Sequence, residues 1–223
     1  MESLRGRLLF MLTVGLLCGA MIGAGGVFLY GAKNASAGPD IMNSVPDVRQ
    51  SVDYSCGAAC TQAVFNYWGI DLREDQLMAE LNTTEANGTS PGSILRVAAA
   101  HGLAADIRMN LTLTDIQEAL GQHIAVIIVA QAWTDNHSTS FSWASDWADG
   151  HYMVVIGMDA RNVYLEDPAI LGSRGSVPRQ EFLDRWHDDG DGDIGAGGMQ
   201  YIHMGIYITG AAQSDPPAFV PVL

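Results

Sequence analysis

Basic residues are scarce in this chain: 11 Lys and Arg stand against 25 Asp and Glu, a formal net charge of −14. A surface that negative repels phosphate backbones and anionic lipid, which argues against nucleic acid or an anionic membrane as partner. A neutral or cationic peptide remains compatible with it. Cysteine is scarcer still, with Cys18, Cys56 and Cys60 the only three. So few, two of them one helical turn apart, cannot build a disulfide framework. Cys56 and Cys60 have no histidine pair at finger-like spacing, which argues against structural zinc. No Gly-rich loop ending in Lys-Ser or Lys-Thr occurs, so no ATP-hydrolysing domain is read in this chain. No solenoid period repeats. Asp189, Asp191 and Asp193 alternate like the start of a calcium loop, but Ile194 and Gln200 stand where glycine and glutamate are required. That stretch reads as a solvated acidic loop, and no metal or other cofactor is expected.

One long apolar run exists, Leu8 to Tyr30, preceded by Arg5 and Arg7 and followed by Ala35-Ser36-Ala37. It suits either a cleaved signal peptide or a retained membrane anchor. In both cases the basic flank stays in the cytoplasm and the remainder is exported. Three regions follow: a leader or anchor over 1–37, one domain over 38–210, and a disordered Pro-rich tail over 211–223.

Gln50 to Trp68 reads as a turn that delivers a cysteine onto the first turn of a helix. Ala59, Ala63, Val64 and Trp68 recur at helical spacing, and Gly69 ends the run. A thiol at that position faces orphan N–H groups and the positive end of the helix dipole, which favour thiolate. Cys56 is therefore a candidate nucleophile, although a small buried apolar residue fits this segment equally well. Cys60 reads as a core residue that oxidation could bridge to Cys56.

Further on, the pattern predicts a helix over Arg73–Leu81, with Leu77, Met78 and Leu81 inward. Another runs from Pro91 to Ala100 and stops at Gly102. An edge strand follows at Ala105–Met109, then a helix over Thr114–Leu120 opened by a threonine cap. The β-branched run Ile124–Ala130 predicts a central strand. Gln131 to Asp149 is a polar loop rich in tryptophan, too long to be a simple connection. His151–Gly157 and Val163–Glu166 read as a hairpin ending at Asp167-Pro168. Its strand ends set His151 beside Asp167, so a carboxylate can hold one imidazole nitrogen while the other faces a thiol.

Gln50, Cys56-Gly57 with Cys60 behind, Gly150-His151-Tyr152, Val154-Val155-Ile156-Gly157 and Asp167-Pro168-Ala169 together resemble the motifs of the double-glycine (bacteriocin-leader) cysteine peptidases. The resemblance spans Val48 to Ile208 and includes Phe182–Asp188, similar to a segment of stand-alone exported members. It implies an α+β, papain-like fold: a helix carrying the thiol packed on an antiparallel sheet carrying the base. It also implies roles. Cys56 would be nucleophile, His151 general base and acid, Asp167 the residue orienting His151, and Gln50 the oxyanion donor beside the Cys56 N–H. From the residues alone, Gln50 reads as a surface glutamine before a turn. Trp143, Trp147 and Tyr152 are expected to touch substrate.

The chain departs from the family in two ways. Ser55 stands where leader-processing members carry aspartate, with Asp53 further back, and no transporter or ATP-hydrolysing domain is read in this chain. The expected activity is exported thiol proteolysis, with cleavage after Gly-Gly an analogy. A non-catalytic peptide-binding module, or a cell-wall amidase or transpeptidase, is the alternative.

Overall fold

Two adjacent strands, read in the sequence as nearly unbroken apolar runs, hold the centre of the fold. In the computed structural model, which describes residues 40–172, 174–190 and 199–211, they are β3 (Val126–Gln131) and β4 (Gly150–Met158). Their residues alternate between two cores. Ile127, Val129, Val154 and Ile156 face one, and Val126, Ile128, Met153 and Val155 face the other. A strand covered on both faces needs apolar side chains at every position, which is why period-two alternation is missing here.

The first face is covered by three helices: α1 (Cys56–Tyr67), α2 (Glu74–Leu81) and α3 (Pro91–Ala100). The second is covered by α4 (Leu113–Gly121) and α5 (Arg179–Arg185), with Ile116, Leu120, Phe182 and Trp186 turned inward. The remaining strands are β1 (Ile41–Met42), β2 (Ala104–Arg108), β5 (Asn162–Glu166), β6 (Gly175–Pro178), β7 (His187–Gly190), β8 (Met199–Ile202) and β9 (Gly205–Thr209). Seven strands form one antiparallel sheet in the order β2-β9-β3-β4-β5-β6, with β1 paired to the far end of β4. β7 and β8 make a separate ribbon.

The expected helices, the edge strand and the hairpin are present, with small shifts of boundary. Gly69 and Gly102, at φ +77 and +78, end α1 and α3 in the left-handed region that glycine tolerates. The cap of α4 is Thr112 rather than Thr114. Asp115 lies three residues after Thr112, so its carboxylate accepts from the Thr112 N–H at 2.7 Å while its own N–H donates to the Thr112 hydroxyl at 3.3 Å. Thr114 already lies inside the helix. β9 was not anticipated; it enters between β2 and β3 and completes both faces. Among the described residues no helix is long and apolar enough to cross a membrane. The leader or anchor read at 1–37, the tail from 212 and the acidic residues Asp191 and Asp193 lie outside the described residues.

β1 crosses β4 at Gly157 because nothing projects there: a Cβ on that residue would lie 2.6 Å from the Ile41 carbonyl oxygen. Gly157→Ala is therefore expected to lower stability by about 1–3 kcal/mol through overpacking, read as a fall in the urea midpoint.

Candidate active site

α1 begins at Cys56, immediately after a tight turn. The Ser55 hydroxyl does not cap the helix; it donates to the Val52 carbonyl at 2.9 Å and closes the turn on itself. Gly57 follows, packed so closely that a Cβ there would come within 2.7 Å of Thr89 Cβ. The first turn of α1 therefore sits against both Thr89 and the strand that carries His151.

His151 is the second residue of β4 and is 8% exposed. Its Nε2 lies 2.7 Å from Asp167 Oδ1, a carboxylate that is itself 5% exposed. The ring is also close enough to Cys56 for the two to shift each other's ionisation. With Nε2 committed to Asp167, Nδ1 is left to serve the sulfur. Strand pairing explains the meeting: β4 and β5 are antiparallel, with Val154 opposite Glu166, so the chain leaves β5 at Asp167 beside the start of β4.

Burial opposes charge on both partners, yet each makes the other ionise. For Cys56, burial pushes the thiol up. The hydrogen bond and charge of His151, with N–H donors at Tyr152 and Gly57, outweigh it and leave the thiol below its ordinary value of 9.0. For His151, burial disfavours the imidazolium, but Asp167 and Cys56 raise it to about 9. Each partner thus favours the charged form of the other, and the titration belongs to the pair. Cys60, fully buried one turn along α1, goes the other way. Burial and the nearby Glu166 push its thiol well above 9.0, so it stays protonated in the core. Cys56 and Cys60 are both free thiols.

The other expected site residues divide. Gln50 is tied in by its own N–H, which donates to the Pro168 carbonyl at 3.0 Å. Its side-chain Nε2 turns into the loop before Cys56 and donates to the Val52 and Asp53 carbonyls at 3.0 and 3.2 Å. Its N–H groups are thus engaged rather than presented. Trp147 and Tyr152 line the cleft of about 410 Å³ that holds Cys56, together with Tyr54, Thr89 and Asp188. Trp143 does not. It lines a second cavity of about 520 Å³ on the far side of Asp167, with the Arg185 guanidinium 3.5 Å above its ring.

Gln131 was not singled out in the sequence, yet it governs the site's edge. Fully buried at the end of β3, its Nε2 donates to the His187 carbonyl at 3.0 Å and to Asp188 Oδ1 at 3.1 Å. Its Oε1 accepts from the Asp149 N–H at 2.8 Å, closing the neck of the tryptophan-rich loop. A lone glutamine ending an apolar strand was the available signal. Glu166 was also missed. Burial pushes it up to about 8 against the pull of the Val48 N–H and Arg174, so it sits beside Cys60 largely as the neutral acid. Among the described residues no group of three or more His, Cys, Asp or Glu is arranged to hold a metal ion.

Comparison with known proteins bears on the family and the fold. Residues 42–194 match the model of the Peptidase C39-like family. An uncharacterized protein of Methanothermobacter marburgensis is 32% identical over 124 residues, which is 55% of this chain and 71% of that protein. Among solved structures, a C39-like peptidase from Bacillus anthracis superposes with a TM-score of 0.57 at 16% identity, covering 78% of this chain and 98% of that one. A double glycine motif protease from an AMS/PCAT transporter, solved with its leader peptide, gives 0.52 at 18% identity over 76% and 94%. With its match running from β1 beyond β7 and its fold shared with those papain-like domains, this chain belongs to the Peptidase C39-like family.

Proposed function

We propose that this protein is a cysteine peptidase acting outside the cytoplasm. The observation that supports it best is the buried imidazole of His151, held on Nε2 by Asp167 at 2.7 Å and coupled to the Cys56 thiol, which it pulls below its ordinary value. In this reading the Cys56 thiolate attacks a peptide carbonyl, forming the C–S bond and placing negative charge on the carbonyl oxygen. The His151 imidazolium then gives its proton to the leaving amine as the C–N bond breaks. Water, deprotonated by the now neutral imidazole, hydrolyses the acyl-enzyme and restores the thiolate. Asp167 keeps the ring oriented through both steps.

The oxyanion is assigned to the Cys56 backbone N–H, one of the orphan donors at the start of α1, and to the Gln50 amide. For Gln50 this requires one N–H to leave the Val52 or Asp53 carbonyl when substrate binds. Apo geometry in such sites is often looser than in the complex. Cleavage after Gly-Gly is proposed by analogy with the solved double glycine motif protease. The export of the domain rests on the leader-or-anchor reading of 1–37.

Alkylation of Cys56 by iodoacetamide, followed by mass spectrometry across pH, tests the nucleophile. Reaction is expected to persist below the ordinary thiol value of 9.0. His151→Ala removes the side-chain interactions that lower the thiol and leaves burial opposed only by the Tyr152 and Gly57 N–H groups, so the limb should move upward. Equal profiles for the two proteins would contradict the reading. Gln50→Ala should lower kcat on a Gly-Gly peptide by about 10²–10³ with little change in KM. A kcat within twofold of the parent would remove Gln50 from the oxyanion site.

A further inference from the structure

We propose that Trp133 is a positioning residue, whose indole N–H fixes the second oxygen of Asp167 and so holds the carboxylate in register with His151. The proposal rests on the reading of His151 and Asp167 given above. Oδ1 of the Asp167 carboxylate is bonded twice, by His151 Nε2 at 2.7 Å and by the Ala169 N–H at 2.9 Å. Among the described residues, the donor to Oδ2 is Trp133 Nε1, at 3.2 Å. Turning the carboxylate about Cβ–Cγ moves both oxygens, so a bond on Oδ2 adds to the cost of any such turn and narrows the range of orientations open to Oδ1.

Trp133 is an odd residue on any other account. It is 60% exposed, so burial of its ring does not explain its place. Its backbone lies in the left-handed region at φ 63, which is unfavourable for a bulky L-residue. The loop neck enforces that conformation: the Ala132 N–H donates to the Asp149 carbonyl at 2.9 Å, and the Gln131 carbonyl accepts from Arg185 Nη1 at 3.2 Å. A strained backbone and an exposed indole share one outcome, an N–H aimed at Asp167. Trp133 and Asp167 also form part of the wall of the cavity of about 520 Å³ behind the site. Without the indole, water from that cavity reaches Oδ2 and competes for the carboxylate.

The same loop thus serves both sides of the site. Its first residues hold the carboxylate behind His151, and Trp147 near its end lines the cleft in front of Cys56.

The test uses the full chain carrying Trp133→Phe, which keeps an aromatic ring and deletes the N–H. A loss of about tenfold in kcat/KM on a Gly-Gly peptide is expected, mostly in kcat, as for a lost bond to a charged group. The low-pH limb of Cys56 alkylation should also move upward, because a less stable imidazolium supports less thiolate. In an Asp167→Ala background the same substitution should change neither quantity further. A limb that stays in place, or an equal loss without Asp167, would overturn the proposal. Should Trp133→Phe lower the melting temperature by several degrees, the isosteric benzothienylalanine at this position gives the same comparison with the ring shape preserved. Absent peptide turnover by the parent protein would defeat the peptidase reading instead, while the alkylation limb would still decide the role of Trp133.

Discussion

The meeting of a thiol, an imidazole and a carboxylate in a largely buried place is the constraint on which the rest of this structure depends. Burial alone would leave Cys56 a neutral thiol and His151 a neutral ring. Together, with Asp167 2.7 Å from Nε2, each shifts the other toward its charged form. Breaking such a set by removing one member leaves an uncompensated buried charge, which is costly. The fold must therefore bring three side chains, from one helix end and two strand ends, together and hold them there.

Small residues make the approach possible. Gly57, Ala58 and Ala59 follow the nucleophile, and the latter two are fully buried against the sheet. Gly150, just before His151, lies so close to Asp188 that a Cβ would sit 2.4 Å from Oδ1. Asp188 is in turn bonded by Gln131, the residue that closes the loop carrying Trp133 and Trp147. A buried glutamine on the central strand thereby connects the end of β3, the start of β4 and the β7–β8 ribbon. The edge of the cleft is in this way tied to the sheet and to the β7–β8 ribbon.

Local signals made the central elements legible. The 3.6-residue spacing after Ser55, the glycines that end α1 and α3, and the apolar runs of β3 and β4 all report backbone and burial directly. The hairpin turn at Asp159–Asn162 then places His151 beside Asp167 by strand pairing alone. Elements whose logic is non-local were harder to see. β9 is a short strand whose place between β2 and β3 depends on partners about 80 to 100 residues away. The cap of α4 needed the pairing of Thr112 with Asp115, and Thr114 offered the same hydroxyl two residues later. Trp143 and Trp147 are alike in composition and context, yet only the latter reaches the cleft, because the loop turns between them. The engagement of Gln50 with its own turn, and the reach of Trp133 to Asp167, depend on side-chain and backbone torsions that no spacing encodes.

The protonation state of His151 tests the central claim most directly. Imidazole ¹⁵N NMR across pH, on the parent protein and on Cys56→Ser, reads it without any substrate. The account predicts an imidazolium at neutral pH that titrates near the value of about 9, and a midpoint that falls when the thiolate is removed. A neutral ring at neutral pH in the parent protein, or a midpoint indifferent to Cys56, would contradict it.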